Sequence, residues 1–217
     1  SFQGAPGANS HLAALKVDPD CLPVPCFSFE DAIDAVKEGR AARAVIPIEN
    51  SLHGRVADIH FLLPESGLSI IGEHFMRIRH CLMAKHADAK LTTAMSHPQA
   101  LGQCAPYLRN HGIKAEQVYD TAGSVKMLKE SGARDVAAIA SKRAAELYGM
   151  QILQEGIEDN AENYTRFLAV GRESTVPTGE AKTSIVFTLK NVPGSLFKAM
   201  SVFALRDIDL TKIESRP

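Results

Sequence analysis

The feature that most limits what this chain can fold into is a recurring junction: a short apolar run, then a helix-capping residue, then an amphipathic stretch. Ser28-Phe29-Glu30-Asp31 opens the plainest case. Ser28 can accept from the free N–H groups of a first helical turn, and the two acids sit where the helix dipole favours negative charge. Phe29, Ala32, Ile33 and Val36 recur at i, i+3, i+4 and i+7, one helical face, and Gly39 closes the helix. Val45-Ile46-Pro47-Ile48 follows as a short buried strand. Asp135 to Ala140 reads as a strand of small residues. Ser141 then caps a helix that shows Ala144, Ala145 and Tyr148 on one face and ends at Gly149. Similar junctions stand near Gly4 to Ala8, at Met95-Ser96 and at Asp120-Thr121. Repeated units of this kind predict an α/β fold with a largely parallel sheet.

Composition excludes several classes of function. Lys plus Arg is 24 against 25 for Asp plus Glu, a formal net charge of −1, so a general nucleic-acid binder with a basic face is not expected. No apolar run approaches the ~20 residues of a membrane span, and no signal peptide is visible, so neither membrane nor export is expected. The four cysteines form no CxxC pair, and the eight histidines show no HExxH and no helical metal face. Reduced thiols, a cytoplasmic setting and no metal site are the expectation.

Residues 172–181 are polar, contain Pro and Gly and lack periodicity, so they read as a linker. Beyond it, Thr183 to Leu189 is expected as a strand, Asn191-Val192-Pro193-Gly194 as a turn, Ser195 to Leu205 as a helix and Asp209 to Ile213 as a further strand. This stretch is shorter than the ~40 residues that usually fold alone, so it reads as part of a second domain.

Each strand–cap–helix junction exposes free N–H groups at the positive end of a helix dipole, an anion site in principle. Polar residues gather there: Glu49-Asn50-Ser51, Ser96-His97-Pro98-Gln99 with Gln103, Thr121-Ala122-Gly123-Ser124, and Asn163-Tyr164-Thr165-Arg166-Phe167. Gly4 to Ser10 is not GxGxxG and holds Pro6, so it is not a dinucleotide loop. Capping or turn chemistry accounts for any one of these alone. Position by itself gives an α/β protein whose cleft could bind a small anion.

In their order, however, Ile46-Pro47-Ile48-Glu49-Asn50-Ser51, Ser96-His97-Pro98-Gln99 with Gln103-Cys104, Asp120 to Ser124 and Asn163 to Phe167 resemble successive motifs of prephenate dehydratases. Gly4 to Ser10 resembles their opening glycine motif, and Glu214-Ser215-Arg216-Pro217 the ESRP motif of their regulatory ACT domain. The resemblance covers essentially the whole chain. It implies a two-lobed catalytic unit, similar to type II periplasmic binding proteins, over residues 1–171. Lobe 1 would take about 1–75 and 161–171, lobe 2 about 76–160, with crossing strands near Glu73–Arg79 and Glu155–Asn163. Residues 182–217 would be a partial ACT domain, cut at its ESRP motif.

The implied reaction removes CO2 and the ring hydroxyl from prephenate to give phenylpyruvate, in L-phenylalanine biosynthesis. Aromatisation drives it, so no metal or organic cofactor is expected. By resemblance Thr165 is the proton donor to the leaving hydroxyl, while Asn50, Ser51, Ser96, Gln103, Thr121, Ser124 and Arg166 bind substrate; Arg166 would hold a carboxylate or hold the site together. Glu49 is structural or tunes the site. Phenylalanine is the implied feedback effector, at Asn191, Pro193, Gly194, Leu196, Glu214, Ser215 and Arg216, although the family's usual Gly-Ala-Leu is here Gly194-Ser195-Leu196. A homodimer or homotetramer is implied. Two alternatives remain: an arogenate dehydratase, and a non-catalytic two-lobed domain that binds a small molecule.

Overall fold

The computed structural model describes residues 1–214, the side chain of Ala57 excepted. The chain divides into two units, Ser1–Val176 and the residues from Pro177 onward. In chain order the first unit contains β1 (Phe2–Gln3), α1 (Asn9–Val17), β2 (Pro25–Cys26), α2 (Phe29–Lys37), β3 (Arg43–Asn50), β4 (Gly54–Arg55), α3 (Ala57–Glu65) and β5 (Ser69–Arg77). The chain then crosses into β6 (Cys81–Ala84), β7 (Thr93–Ser96), α4 (Pro98–Gln103), α5 (Ala105–Asn110), β8 (Lys114–Gln117), α6 (Thr121–Glu130), β9 (Val136–Ala140), α7 (Lys142–Tyr148) and β10 (Gln151–Glu155), and returns as β11 (Tyr164–Gly171).

The result is a two-lobed α/β unit with one main sheet in each lobe. The first lobe has the order β4-β3-β11-β5, the second β10-β6-β9-β7-β8, and β1 pairs β2 in a small parallel ribbon. The expected parallel sheet is corrected. β7 runs parallel to both β8 and β9, but every pair in the first-lobe sheet and the β6–β9 and β6–β10 pairs are antiparallel. The reason lies in the connections. β3 and β5 do run the same way, joined through α3 as a strand–helix–strand unit should be. They are not neighbours, because β11 enters from the other lobe and inserts between them in the opposite sense.

Local chemistry explains the helix starts. Ser28 Oγ accepts from Asp31 N at 3.0 Å and Asp31 Oδ2 accepts from Ser28 N at 3.1 Å, a reciprocal capping box. Ser141 Oγ accepts from Ala144 N, and α7 ends on Gly149 in the left-handed region. At two junctions the cap is the neighbour of the expected residue. Ser96 still belongs to β7, and His97 Nδ1 caps α4. Asp120, not Thr121, caps α6, since its two carboxylate oxygens take the N–H groups of Ala122 and Gly123 together.

Each lobe buries its sheet on both faces. In the first, α2 and α3 bring Ile33, Val36 and Ile59 against Ile46, Leu168 and Val170, while α1 brings Ala13 and Ala14 against Val45 and Phe167. In the second, Val125, Leu128, Ala144 and Ala145 cover Met83 and Ala138; Leu101, Leu108 and Ile157 cover Leu82 and Ile139 on the opposite side. The alanine-rich β9 lets those helices approach closely.

The loop before α1 crosses between the lobes. Ala5 N donates to Asp120 Oδ2 at 3.0 Å, Ser141 Oγ donates to Gly7 O at 2.5 Å, and Ala8 belongs to the second-lobe core. Gly7 has φ +93°, and a Cβ there would lie 2.7 Å from Ala144 Cα. The opening glycine motif is therefore a contact surface between lobes.

In the second unit α8 spans Ser195–Ala204, with no buried side chain and with Leu196, Phe197 and Leu205 exposed. The strands expected at Thr183 to Leu189 and Asp209 to Ile213 do not form among the described residues. A strand is held by the ladder of a partner, and no pairing reaches either segment. Ser215 and Arg216 lie outside the described residues. No helix among the described residues is long and apolar enough to cross a membrane.

Gly7→Ala is expected to destabilise the protein by about 2–5 kcal/mol, combining a strained φ with a steric clash. The midpoint of urea unfolding should fall at unchanged slope. A midpoint within error of the parent would show that the loop does not depend on this close approach.

Candidate active site

The site begins with β11. Its register places Thr165 opposite Asn50 of β3 on one side and Met76 of β5 on the other. Thr165 is 8% exposed. Asn50 sits at the end of β3, where its Oδ1 accepts from the backbone N–H groups of Leu52 and His53 at 3.0 and 3.1 Å. This asparagine turn fixes the direction of the amide nitrogen. Asn50 Nδ2 lies 2.8 Å from Asn163 Oδ1, 2.9 Å from Thr165 Oγ1 and 3.1 Å from Tyr164 O, donating toward all three.

Asn163 is fully buried, and its own amide nitrogen donates to Gln103 Oε1 at 3.0 Å. Gln103, at the end of α4, also meets His80 Nε2 through Oε1 at 2.6 Å, and its Nε2 lies 3.2 Å from His53 Nδ1. A continuous chain of side-chain amides thus runs from Thr165 in the first lobe to Gln103 in the second. Beside it opens a pocket of about 440 Å³, lined by Leu52, His53, Gly102, Gln103, Asp159 and Asn160. A site lined by amide donors and backbone turns suits a small polar or anionic ligand.

The crossing segments form the floor. Ile78 N donates to Asn163 O at 2.7 Å, Gly156 N donates to His80 O at 2.9 Å, and Asp159 N donates to Gln103 O at 2.8 Å. Ser51 closes the other side, donating to Glu162 O at 2.6 Å and accepting from Tyr164 N at 2.9 Å. Burial holds the His80 imidazole below its usual pKa, against smaller opposing effects of Gln103 and Glu158, so the ring is neutral at pH 7. Burial raises the Cys81 thiol to about 11 and pushes the Cys104 thiol higher still, so neither offers a thiolate.

The structure brings Asn50, Ser51, Gln103 and Thr165 together, although the Ser51 hydroxyl is engaged in clamping the crossing. It does not bring Ser96, Ser124 or Arg166 to them. Ser96 and Ser124 are wholly buried, with hydroxyls donated to Ile139 O and Thr121 O. Arg166, one residue after Thr165, points to the opposite sheet face. Its Nε and Nη2 lie 2.7 and 2.6 Å from Glu73 Oε2, and its Nη1 lies 3.8 Å from Glu49. Thr121 opens α6 beside the Asp120–Ala5 contact, outside the chain of amides. Asn163, His80 and His53 were not foreseen. Only Asn163 carried a signal, its place two residues before Thr165; the histidines read as scattered.

A family model described as prephenate dehydratase matches residues 1–175. The chain belongs to the prephenate dehydratase family. Among curated relatives, an Arabidopsis thaliana protein named arogenate dehydratase/prephenate dehydratase 2, chloroplastic, is 47% identical over all of this chain and 58% of its own length. A bifunctional N-acyl-homoserine lactone acylase/prephenate dehydratase of Komagataeibacter europaeus is 41% identical over 99% of this chain and 78% of its own length. The chain thus spans little more than half the length of the plant relatives it matches. A solved prephenate dehydratase from Arthrobacter aurescens, in complex with L-Phe, superposes with a TM-score of 0.87 at 30% identity, over 100% of this chain and 75% of that one. The prephenate dehydratase fold is therefore the fold of this two-lobed unit.

Two outcomes test the amide chain. Asn163→Leu, which keeps the number and branching of the side-chain heavy atoms, should destabilise the protein by about 2–4 kcal/mol, because Asn50 and Gln103 both lose a buried partner; an unchanged denaturation midpoint would refute that. Stability should also depend on pH through His80. The native pKa lies below the ordinary value of 6.5, so the unfolded state binds the proton first. Stability is complete above that value and is lost as pH falls from it toward the native pKa. His80→Gln should flatten this slope in a pH series of thermal melts.

Proposed function

We propose that residues 1–171 form the catalytic unit of a prephenate dehydratase, converting prephenate to phenylpyruvate in phenylalanine biosynthesis. The observation that carries this reading is the Asn50–Thr165 hydrogen bond, at one end of the amide chain whose other end, Gln103, lines the pocket. Thr165 Oγ1 accepts there, which leaves its hydroxyl hydrogen for a ligand oxygen.

The chemistry asks little more of the protein than placement. The bond between the ring and its carboxylate breaks, and CO2 departs. The released electron pair completes the aromatic ring as the C–O bond to the hydroxyl breaks, and the departing oxygen takes a proton and leaves as water. Thr165 supplies a hydrogen bond, then a proton, to that oxygen and is reprotonated from solvent. A threonine is a very weak acid, so most of the acceleration comes from orientation and from aromatisation itself. The Gln103 amide on the pocket wall would receive a charged group of the substrate. Arg166 serves from the far face, tying β11 to β5 and β3 through Glu73 and Glu49.

Thr165→Ala is expected to lower kcat by about 10²–10⁴-fold and to change KM by less than about threefold. A variant with near-parent kcat would remove Thr165 from this role.

Two observations favour a second reading, arogenate as substrate. Several plant relatives carry that name, and Asp159 on the pocket wall could pair with the ammonium that arogenate has where prephenate has a keto group. The ratio of kcat/KM on the two substrates decides. If arogenate is the substrate, Asp159→Asn should lower its kcat/KM about tenfold and leave prephenate unchanged.

We read residues 182–217 as a partial ACT domain that binds phenylalanine through Asn191, Pro193, Gly194, Leu196 and Glu214, with Ser215 and Arg216. The L-Phe complex of the Arthrobacter aurescens relative supports an effector of this kind. Adding phenylalanine should depress turnover in a titration; activity that does not respond would refute the regulatory reading for this chain.

A further inference from the structure

One buried side chain outside the reacting residues has a hydrogen-bonding state that the backbone itself dictates. The Leu52 and His53 N–H groups can only donate, so the Asn50 atom that meets them at 3.0 and 3.1 Å is its oxygen. Asn50 therefore presents its NH2 to Asn163, and the Asn163 atom at 2.8 Å is an oxygen. Asn163 in turn presents NH2 to Gln103, so the Gln103 atom at 3.0 Å is an oxygen as well. The His80 Nε2 that lies 2.6 Å from that same oxygen must then carry the hydrogen. His80 is the neutral Nε2–H tautomer. Its other ring nitrogen, Nδ1, is buried without a hydrogen-bond partner.

A leucine at this position would bury no unpaired nitrogen. What the imidazole adds is the second donor on Gln103 Oε1. With that oxygen held by two N–H groups, the carboxamide cannot flip, and its NH2 faces the pocket beside His53. His80 is itself held in place. It is 3% exposed, its backbone N–H donates to Glu158 Oε2 at 2.9 Å, and its backbone carbonyl accepts from Gly156 N at 2.9 Å and Ile157 N at 3.2 Å. The returning crossing segment, residues 156–158, thus fixes the histidine that fixes the glutamine.

We propose that His80 is a positioning residue whose Nε2–H locks the Gln103 carboxamide, so that the Gln103 NH2 is a permanent donor to an anionic oxygen of the substrate. This rests on the dehydratase reading for its substrate, and on the geometry alone for the lock.

The test is kinetic, with a spectroscopic arm. His80→Leu should raise KM for prephenate about tenfold or more and change kcat by less than about threefold, the reverse of Thr165→Ala. His80→Gln, which restores an N–H near the same place, should recover KM to within about threefold of the parent. In a Gln103→Leu background, His80→Leu should add less than a twofold loss, because its effect passes through Gln103. An undiminished additional loss, or no recovery by glutamine, would overturn the proposal in favour of a purely structural histidine. Long-range 15N–1H correlation on the unaltered protein covers the case in which His80→Leu does not fold. An Nε2–H signature at pH 7 supports the lock, and an Nδ1–H or charged ring refutes it. If the parent turns over neither prephenate nor arogenate, the functional reading fails by itself, and the same spectrum still decides the lock.

Discussion

The buried carboxamide of Asn163 is the interaction on which the rest of the site depends. It lies on a crossing segment between lobes, with no exposed surface, and both of its ends are satisfied: oxygen by Asn50, nitrogen by Gln103. An unsatisfied buried amide group costs on the order of 1–3 kcal/mol, so the arrangement tolerates only one orientation of all three side chains. Thr165 is positioned by one end of this chain and the pocket wall by the other. The two lobes therefore share a polar spine as well as apolar contacts. The loop from Gly4 to Ala8 gives them a second point of attachment on Asp120, Ser141 and Ala144.

Much of the fold was legible in local chemistry. The capping box at Ser28, the Gly149 stop and the strands at residues 45–48 and 136–140 all follow from short-range rules that do not depend on the remainder of the chain. What local rules could not supply is strand order. Nothing in β3, α3 or β5 reveals that a segment almost ninety residues later will part them, and the expected parallel sheet fails there. The same limit applies to the tail. Residues 183–189 have the composition of a strand, but composition carries no partner.

The site shows the same division between kinds of knowledge. The motif order singled out Asn50, Gln103 and Thr165, which the fold does bring together. It also offered Ser96 and Ser124, whose hydroxyls donate inside the second lobe, and Arg166 either as a carboxylate ligand or as a residue that holds the site together. Strand alternation favours the second of these, since adjacent residues of a strand face opposite ways. Arg166 makes contacts of about 2.6–2.7 Å with Glu73 and lies over the Phe75 ring, bracing the strand that carries Thr165. His80 was invisible for a physical reason: a histidine in a buried hydrogen-bond network leaves no spacing pattern in the sequence.

The central place of β11 also has a consequence for how the molecule is made. During synthesis β3 and β5 leave the ribosome long before the strand that separates them, with their facing edges unpaired until residues 164–171 emerge. The second lobe, by contrast, has every strand of its main sheet within residues 81–155 and can complete that sheet first. The nascent chain thus carries a finished later-made lobe beside an unfinished earlier one. A growing polypeptide of this kind is most exposed to mispairing, and most in need of a chaperone, in the interval before its last strand arrives.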